Sequence, residues 1–123
     1  MEENKTNRVA RSFSDAFRGL AFAVKTEINF KIELCAGIIV VVLMLIFRIT
    51  DAKALVLIMA IAAVLLTEIM NTAVERVMDV IHPEYHPYVK NVKDLMAASV
   101  LITSLAALIL GLVIFIPYIW LYV

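Results

Sequence analysis

Long apolar stretches dominate the sequence and leave few folds open to it. They cover about residues 32–48, 54–81 and 94–117, and the second begins with an uncharged segment, residues 54–67. A helix needs roughly 20 apolar residues to cross a bilayer, where all its backbone polar groups must be satisfied internally. The chain is 63% hydrophobic and only 18% charged. These features predict an all-α integral membrane protein with three transmembrane helices, formed as one domain over residues 1–123.

A different pattern precedes the first span. From about residue 8 to residue 26, apolar side chains recur at helical spacing, and basic or other polar side chains occupy the remaining surface. The apolar positions are Val9, Phe13, Ala16, Phe17, Leu20 and Val24. This pattern is typical of an amphipathic helix that lies in the membrane interface.

The segments between the spans predict the orientation of the chain. A tight turn is expected at residues 48–53, and a loop at residues 82–87, where two prolines disfavour helix. The chain up to residue 31 holds six Lys or Arg and residues 76–93 add three, whereas the first turn holds two and the C-terminal end none. The positive-inside rule then places the N-terminus and the second loop on the cytoplasmic side of the inner membrane.

Four polar side chains form one stripe at the end of the second span. They are Glu68, Asn71, Glu75 and Asp79, and the last three follow the first at offsets of three, seven and eleven. At about 100° per residue these offsets place all four on one helix face. The opposite face stays apolar, unlike that of a helix that simply ends in water. Carboxylates at such a boundary are costly and usually face a bundle interior or a water-filled site.

Acidic side chains from several segments collect near the same boundary. They are Glu27, Glu33, Glu68, Glu75, Asp79, Glu84 and Asp94. Magnesium is usually held by one or two carboxylates together with substrate phosphates, and phosphoryl transfer also needs a base. The sequence has no Walker A, glycine-rich nucleotide or protein-kinase catalytic-loop motif. The residues alone therefore predict an acidic site on the cytoplasmic face of a small membrane bundle.

The remaining composition excludes some classes of protein. A net charge of zero gives no reason to expect nucleic acid as a partner, and the single cysteine, Cys35, cannot form an internal disulfide. Three spans are too few to enclose a site, so oligomerisation is expected. An alternative from another class is a small multidrug-type transporter, which would also use a membrane-embedded carboxylate but would need it near the midplane.

The same residues carry a resemblance to a known family. The signature of the small prokaryotic diacylglycerol kinases and undecaprenol kinases resembles residues 68–75, which read EIMNTAVE, together with Asp79 and the pair Lys93-Asp94. Residues 26–30 and 84–86 extend the resemblance over almost the whole chain. It implies a homotrimer whose subunits each have an interfacial helix and three membrane helices. It also implies ATP-dependent phosphorylation of a lipid alcohol, with magnesium.

The resemblance implies a role for each matching residue. Glu68 would be the general base for the lipid hydroxyl, with Asn71 and Asp79 in support, while Glu27 and Glu75 would hold magnesium. The ATP-binding residues would be Arg8, Glu27, Glu75, Glu84, His86, Lys93 and Asp94. The residues that contact the lipid would be Arg8, Ser12, Phe13, Phe17 and Glu68.

Some of these residues also have simpler interpretations. Glu84 and His86 would be ordinary loop residues. Lys93 and Asp94 would form a helix start, where Asp is favoured in the first turn. Arg8 would bind anionic lipid headgroups.

The resemblance points to two lipids. Residues 26–30 and 111–117 resemble the undecaprenol kinase branch, whereas residues 84–86 resemble the diacylglycerol kinase branch. We expect undecaprenol as the substrate and keep diacylglycerol as the alternative, because the hydroxyl of either lipid lies at the same interface.

Overall fold

The computed structural model describes residues 4–123, and this part of the chain forms four helices. They are α1 (Lys5–Thr26), α2 (Ile28–Ile46), α3 (Asp51–Ile81) and α4 (Pro87–Tyr122). The prediction of an all-α chain is confirmed for these residues. Helices α2, α3 and α4 are each long and apolar enough to cross a membrane, and the three expected spans fall on them.

A single residue separates α1 from α2. Glu27 has extended backbone, with φ −108° and ψ 109°, and its N–H donates to the Ala23 carbonyl at 2.9 Å. The first span was expected to begin near residue 32, but α2 already begins at Ile28. The helix is therefore broken at Glu27, and we call this break between α1 and α2 the corner.

The start of α4 is set by its capping residues. Pro87 occupies the first helical turn, where backbone N–H groups have no acceptor within the helix. Proline, which lacks an N–H, therefore costs no hydrogen bond at this position. The imidazole Nδ1 of His86 accepts a hydrogen bond from the Tyr88 N–H at 3.1 Å. Lys93 and Asp94 consequently lie inside α4 and do not form its start, which corrects that interpretation.

The far end of α4 extends beyond the expected end of the third span at residue 117. The helix continues through Pro117 to Tyr122. Aromatic contacts hold this last segment on α2, because the Tyr122 and Phe47 rings lie 5.5 Å apart between centroids. The Lys53 ammonium also lies 5.1 Å from the centre of the Tyr118 ring.

The turn between α2 and α3 has a strained residue. Arg48 has a φ of 49°, the left-handed conformation that favours glycine. Its N–H donates to the Leu45 carbonyl at 3.4 Å, and the Ile49 N–H donates to the Met44 carbonyl at 3.1 Å. This pair of hydrogen bonds, with Ile49 buried against Met44, is a Schellman motif.

Helix α3 is the centre of the fold. It packs most extensively on α4 and also on α2, while α1 contacts α2. Close to the turn between α2 and α3, the three spanning helices share one apolar cluster. Its buried members are Met44, Ile49, Leu57, Ile114 and Phe115. Most other large apolar side chains are exposed, as expected where lipid is the surrounding solvent.

The length of α3 decides where its polar stripe lies. With 31 residues it is about 46 Å long, while the hydrocarbon core of a bilayer is about 30 Å thick. Helix α2, with 19 residues, is about 28 Å long and meets α3 at the turn. The excess length of α3 is therefore at its C-terminal end, so Glu68 lies near the apolar boundary and Glu75 and Asp79 lie beyond it.

Replacing Arg48 with Gly should stabilise the protein. Glycine adopts positive φ without a steric cost, but it also has greater conformational freedom in the unfolded chain. Taking both effects together, we expect the free energy of unfolding to rise by about 0.5–1 kcal/mol. The measurement is the midpoint of thermal unfolding in detergent, which should rise. Arg48→Ala removes the same charge but keeps Cβ, so an equal gain in that control would assign the effect to charge instead of strain.

Candidate active site

Burial decreases along the polar stripe of α3. Glu68 is only 3% exposed and Asn71 only 8% exposed, whereas Glu75 is half-buried and Asp79 is exposed. The Asn71 Oδ1 atom is buried and has no hydrogen-bond partner among residues 4–123. The stripe thus turns from the protein interior towards the water-facing end of the helix, with Glu68 as its innermost member.

Four carboxylates from three parts of the chain form a cluster around Glu68. Glu75 and Glu27 are the negative charges that act most strongly on Glu68, and the Asn29 side chain lies beside it. Glu33, on the first turns of α2, has Glu68 as its charged neighbour. The Glu33 Oε2 atom is buried and lacks a hydrogen-bond partner among the described residues. We call Glu27, Glu33, Glu68 and Glu75 the carboxylate cluster.

A basic residue that the sequence analysis did not single out completes one edge of the cluster. Arg76 of α3 forms an ion pair with Glu27, and its guanidinium lies 4.9 Å from the centre of the Phe22 ring. The contact ties α3 to the corner between α1 and α2. The sequence feature that could have pointed to Arg76 is its position directly after Glu75. The other basic residue of α3, Lys53, lies near the opposite end of the helix.

Two further ion pairs lie at the same end of the molecule. Lys93 Nζ lies 2.5 Å from Asp79 Oδ1 and joins α4 to α3. Lys90 Nζ lies 2.6 Å from Asp94 Oδ2 within α4. The structure thereby brings Lys93 and Asp94 to the end of the bundle that carries the carboxylate cluster, each with a partner of opposite charge.

The predicted site residues of α1 lie away from the cluster of their own chain. Along one continuous helix, Arg8 is about 27 Å and Phe17 about 14 Å from Thr26, which precedes the corner. Phe13 and Phe17 are 64% and 68% exposed. The Ser12 hydroxyl donates to the Arg8 carbonyl at 3.0 Å. Within one chain, these four residues do not join the carboxylates.

The loop between α3 and α4 holds the two remaining predicted residues. Glu84 is exposed there. The His86 ring stacks on the His82 ring, 5.5 Å apart between centroids, and also caps α4. His86 therefore has a structural role in this loop, next to the end of α3 that carries Asp79.

The cluster has the composition of a site for a metal–nucleotide complex. Among residues 4–123, no three His, Cys, Asp or Glu side chains are placed to hold a metal by themselves. Magnesium commonly needs only one or two carboxylates, since phosphates and water supply its other oxygens. Glu27 and Glu75, which flank Glu68, offer such hard oxygen donors. The residues present therefore fit magnesium bound together with phosphates.

An apolar cavity adjoins the carboxylates. It has a volume of about 520 Å³, is partly open, and lies between α2 and α4 with α3 behind it. Glu33 lies at one end of the cavity and Phe47 at the other, and Ser104 is the second polar residue of its lining. Volumes of this size are typical of sites for small ligands. The cavity therefore joins an apolar space to one member of the carboxylate cluster, Glu33.

Three apolar helices, with a carboxylate cluster at their end and an apolar cavity beside it, are the features of a multi-pass membrane protein with an acidic site. Comparison with known proteins shows its family. Residues 14–115 match the family described as prokaryotic diacylglycerol kinase. The chain belongs to this family and is a lipid kinase, so the small-transporter alternative is wrong.

Relatives named as undecaprenol kinase and relatives named as diacylglycerol kinase have similar sequence identity to this chain. The chain is 31% identical to the undecaprenol kinase of Bacillus subtilis (strain 168) over 114 residues, which cover 93% of each protein. It is 32% identical to the diacylglycerol kinase of Escherichia coli (strain K12) over 111 residues, or 89% of this chain and 91% of the relative. For the diacylglycerol kinase of Synechocystis sp. (strain ATCC 27184 / PCC 6803 / Kazusa), the identity is 33% over 101 residues, 81% of this chain and 58% of the relative.

Proposed function

We propose that this lipid kinase transfers the γ-phosphoryl group of ATP to undecaprenol and produces undecaprenyl phosphate. The observation that carries the proposal is the lining of the cavity, which is apolar except for Glu33 and Ser104. Undecaprenol is a branched hydrocarbon whose only polar group is its terminal hydroxyl, so its chain needs no hydrogen-bond donor. The ester carbonyls of diacylglycerol do need donors, and burying them without donors is costly.

Diacylglycerol is the second candidate substrate. The relative from Escherichia coli carries that lipid in its name and is as similar to this chain as the undecaprenol kinase is. The hydroxyl of diacylglycerol would occupy the same place beside Glu68. The two lipids would differ in the part of the molecule that lies in the cavity.

In the proposed mechanism, Glu68 is the general base. The hydroxyl oxygen of the lipid attacks the γ-phosphorus of ATP, its proton passes to the Glu68 carboxylate, and ADP leaves. The burial of Glu68 keeps water from competing for the phosphoryl group, and the free Oδ1 of Asn71 is available to orient a polar partner. Glu27 and Glu75 would hold magnesium, which supplies positive charge to the phosphates when bound.

Residues of α4 and of the preceding loop would bind the nucleotide. Lys93 and Asp94 lie on the second turn region of α4, and Glu84 and His86 lie in the loop before it. Lys93 is the cation that would exchange its contact with Asp79 for a phosphate oxygen. Phosphates need such positive charge, because their transfer is catalysed mainly by positioning and electrostatics.

The proposed setting is the inner membrane, with the N-terminus and the carboxylate cluster on the cytoplasmic side, where ATP is available. The distribution of Lys and Arg supports this orientation. We further propose a homotrimer in which α1 lies in the membrane interface. In support, Arg8 lies about 27 Å along α1 from Thr26, so any role of Arg8 at a carboxylate cluster would be at that of a neighbouring copy.

Labelled ATP should mark undecaprenol in preference to diacylglycerol. The purified protein, in mixed micelles with magnesium, is offered both lipids in parallel, and the labelled lipids are then separated. Preferential label in undecaprenyl phosphate is expected because the cavity suits an apolar chain without esters. Preferential label in phosphatidic acid would contradict the choice of substrate and leave the lipid kinase assignment intact.

Replacing Glu68 with Gln should lower kcat by about 10²–10⁴-fold, because the amide keeps the shape of the side chain but cannot accept the proton. Initial rates of lipid phosphorylation measure the effect, and Glu68→Ala should behave in the same way. Asp51→Asn, at the opposite end of α3, is the control and should leave the rate unchanged. Retained activity in both Glu68 variants, with normal helical content, would remove Glu68 from the mechanism.

Replacing Glu75 with Gln should raise the magnesium concentration required for half-maximal activity by about tenfold or more, since a ligand oxygen loses its charge. The titration varies free magnesium at saturating ATP and lipid. Asp15→Asn on the exposed surface of α1 serves as the control. An unchanged magnesium curve for the Glu75 variant would refute the assignment of this residue as a ligand.

A further inference from the structure

One face of α4 forms a wall of the apolar cavity. Ser104, Ala107, Leu108, Gly111 and Phe115 all line the cavity, and their spacing places them on one side of the helix. Gly111 is near the middle of this face. A side chain added at this position would therefore point towards the cavity.

The structure distinguishes Gly111 from the other glycine that lines the cavity. A Cβ atom at Gly37 would lie 2.9 Å from the Ile61 Cγ2 atom, so glycine there permits the close approach of α2 to α3. A Cβ atom at Gly111 would have no heavy atom within 4 Å. Glycine is a poor helix former, and at position 111 no packing contact in the chain requires it. What its missing side chain provides is space in the cavity.

The depth of Gly111 follows from the register of the helices. Helices α3 and α4 are antiparallel, with the Thr67 and Thr103 hydroxyls 2.9 Å apart, so Ile61 lies opposite a residue near position 109. Gly37 packs on Ile61, and Gly111 is therefore roughly level with Gly37. Gly37 follows Glu33 by one helical turn, or about 6 Å. Seven residues separate Ile61 from Glu68, or about 10 Å along α3. The space at Gly111 thus lies along the lipid chain, about 10 Å from a hydroxyl placed at Glu68.

We propose that Gly111 determines the lipid specificity of this site, an inference that rests on the proposed undecaprenol kinase function. An isoprenoid chain carries methyl branches and rigid double bonds at regular intervals, so it is wider than a straight acyl chain. The unfilled space at Gly111 accommodates that width within the cavity, about 10 Å along the chain from the reacting hydroxyl. A large side chain at this position overpacks the cavity for a branched chain. It still leaves room for one of the two unbranched chains of diacylglycerol, because the cavity is partly open and the other chain can lie in the bilayer.

The test compares Gly111→Ala and Gly111→Phe with the unchanged protein, using undecaprenol and diacylglycerol as separate substrates in the same micelles. For Gly111→Phe, we expect kcat/KM for undecaprenol to fall by about tenfold or more, and that for diacylglycerol by less than about threefold. Gly111→Ala should give a smaller change in the same direction. The matched control is Val113→Phe, which adds the same ring at a position that is 66% exposed and outside the cavity lining.

The possible outcomes of this test distinguish the inference about Gly111 from the proposed function. A shift of the ratio of the two kcat/KM values towards diacylglycerol in the Gly111 variants, absent from Val113→Phe, supports the inference. An equal fall for both lipids, or no change for either, overturns it while the proposed function stands. If the unchanged protein phosphorylates diacylglycerol alone, the proposed function fails first, and the inference fails with it. Equal helical content and equal elution on size exclusion confirm that the variants are folded.

Discussion

Glu68 is 3% exposed at the point where the apolar part of α3 ends, and a carboxylate there needs polar neighbours in place of water. The neighbours come from the corner at Glu27, from Asn29 and from the next turns of α3. Because neighbouring carboxylates do not attract one another, the arrangement is held together by cations and by rigid helices, not by the acids themselves. Arg76 and Lys93 provide those contacts, one at the corner and one on α4.

The structure separates the groups that hold the helices together from the groups that face a ligand. The apolar cluster of Met44, Ile49, Leu57, Ile114 and Phe115 lies near the turn between α2 and α3, and aromatic contacts continue it to Tyr122. The carboxylate cluster lies at the other end, where ion pairs join the same helices. Between these two ends, α2 and α4 are far enough apart to leave the cavity. Packing at one end and charge at the other therefore create an apolar space that ends at Glu33 of the carboxylate cluster.

The sequence predicted the features that depend on local pattern. Hydropathy located the three spans, and helical periodicity placed Glu68 and Asn71 on one face, which the structure shows as the buried part of the stripe. The ends of the helices were less predictable. The corner at Glu27 and the passage of α4 through Pro117 depend on contacts with other helices, and propensity contains no information about those contacts. The same holds for Arg76, whose partner Glu27 is distant in sequence, and for Gly111, whose empty surroundings appear only once α2, α3 and α4 are placed together.

The pairing of charges at the end of the bundle that carries the carboxylate cluster has a consequence for the proposed nucleotide binding. In this structure Glu27 contacts Arg76, Asp79 contacts Lys93, and Asp94 contacts Lys90, so these three carboxylates are paired with cations before any ligand enters. A complex of ATP with a divalent cation also combines both signs of charge. In the proposed function, Glu27 would exchange a guanidinium for the metal while Arg76 and Lys93 would exchange carboxylates for phosphates, so these three charges would keep partners throughout. Because buried or half-buried charges are costly only when they lose their partners, such an exchange avoids the main electrostatic penalty of bringing a highly charged substrate to the edge of a membrane.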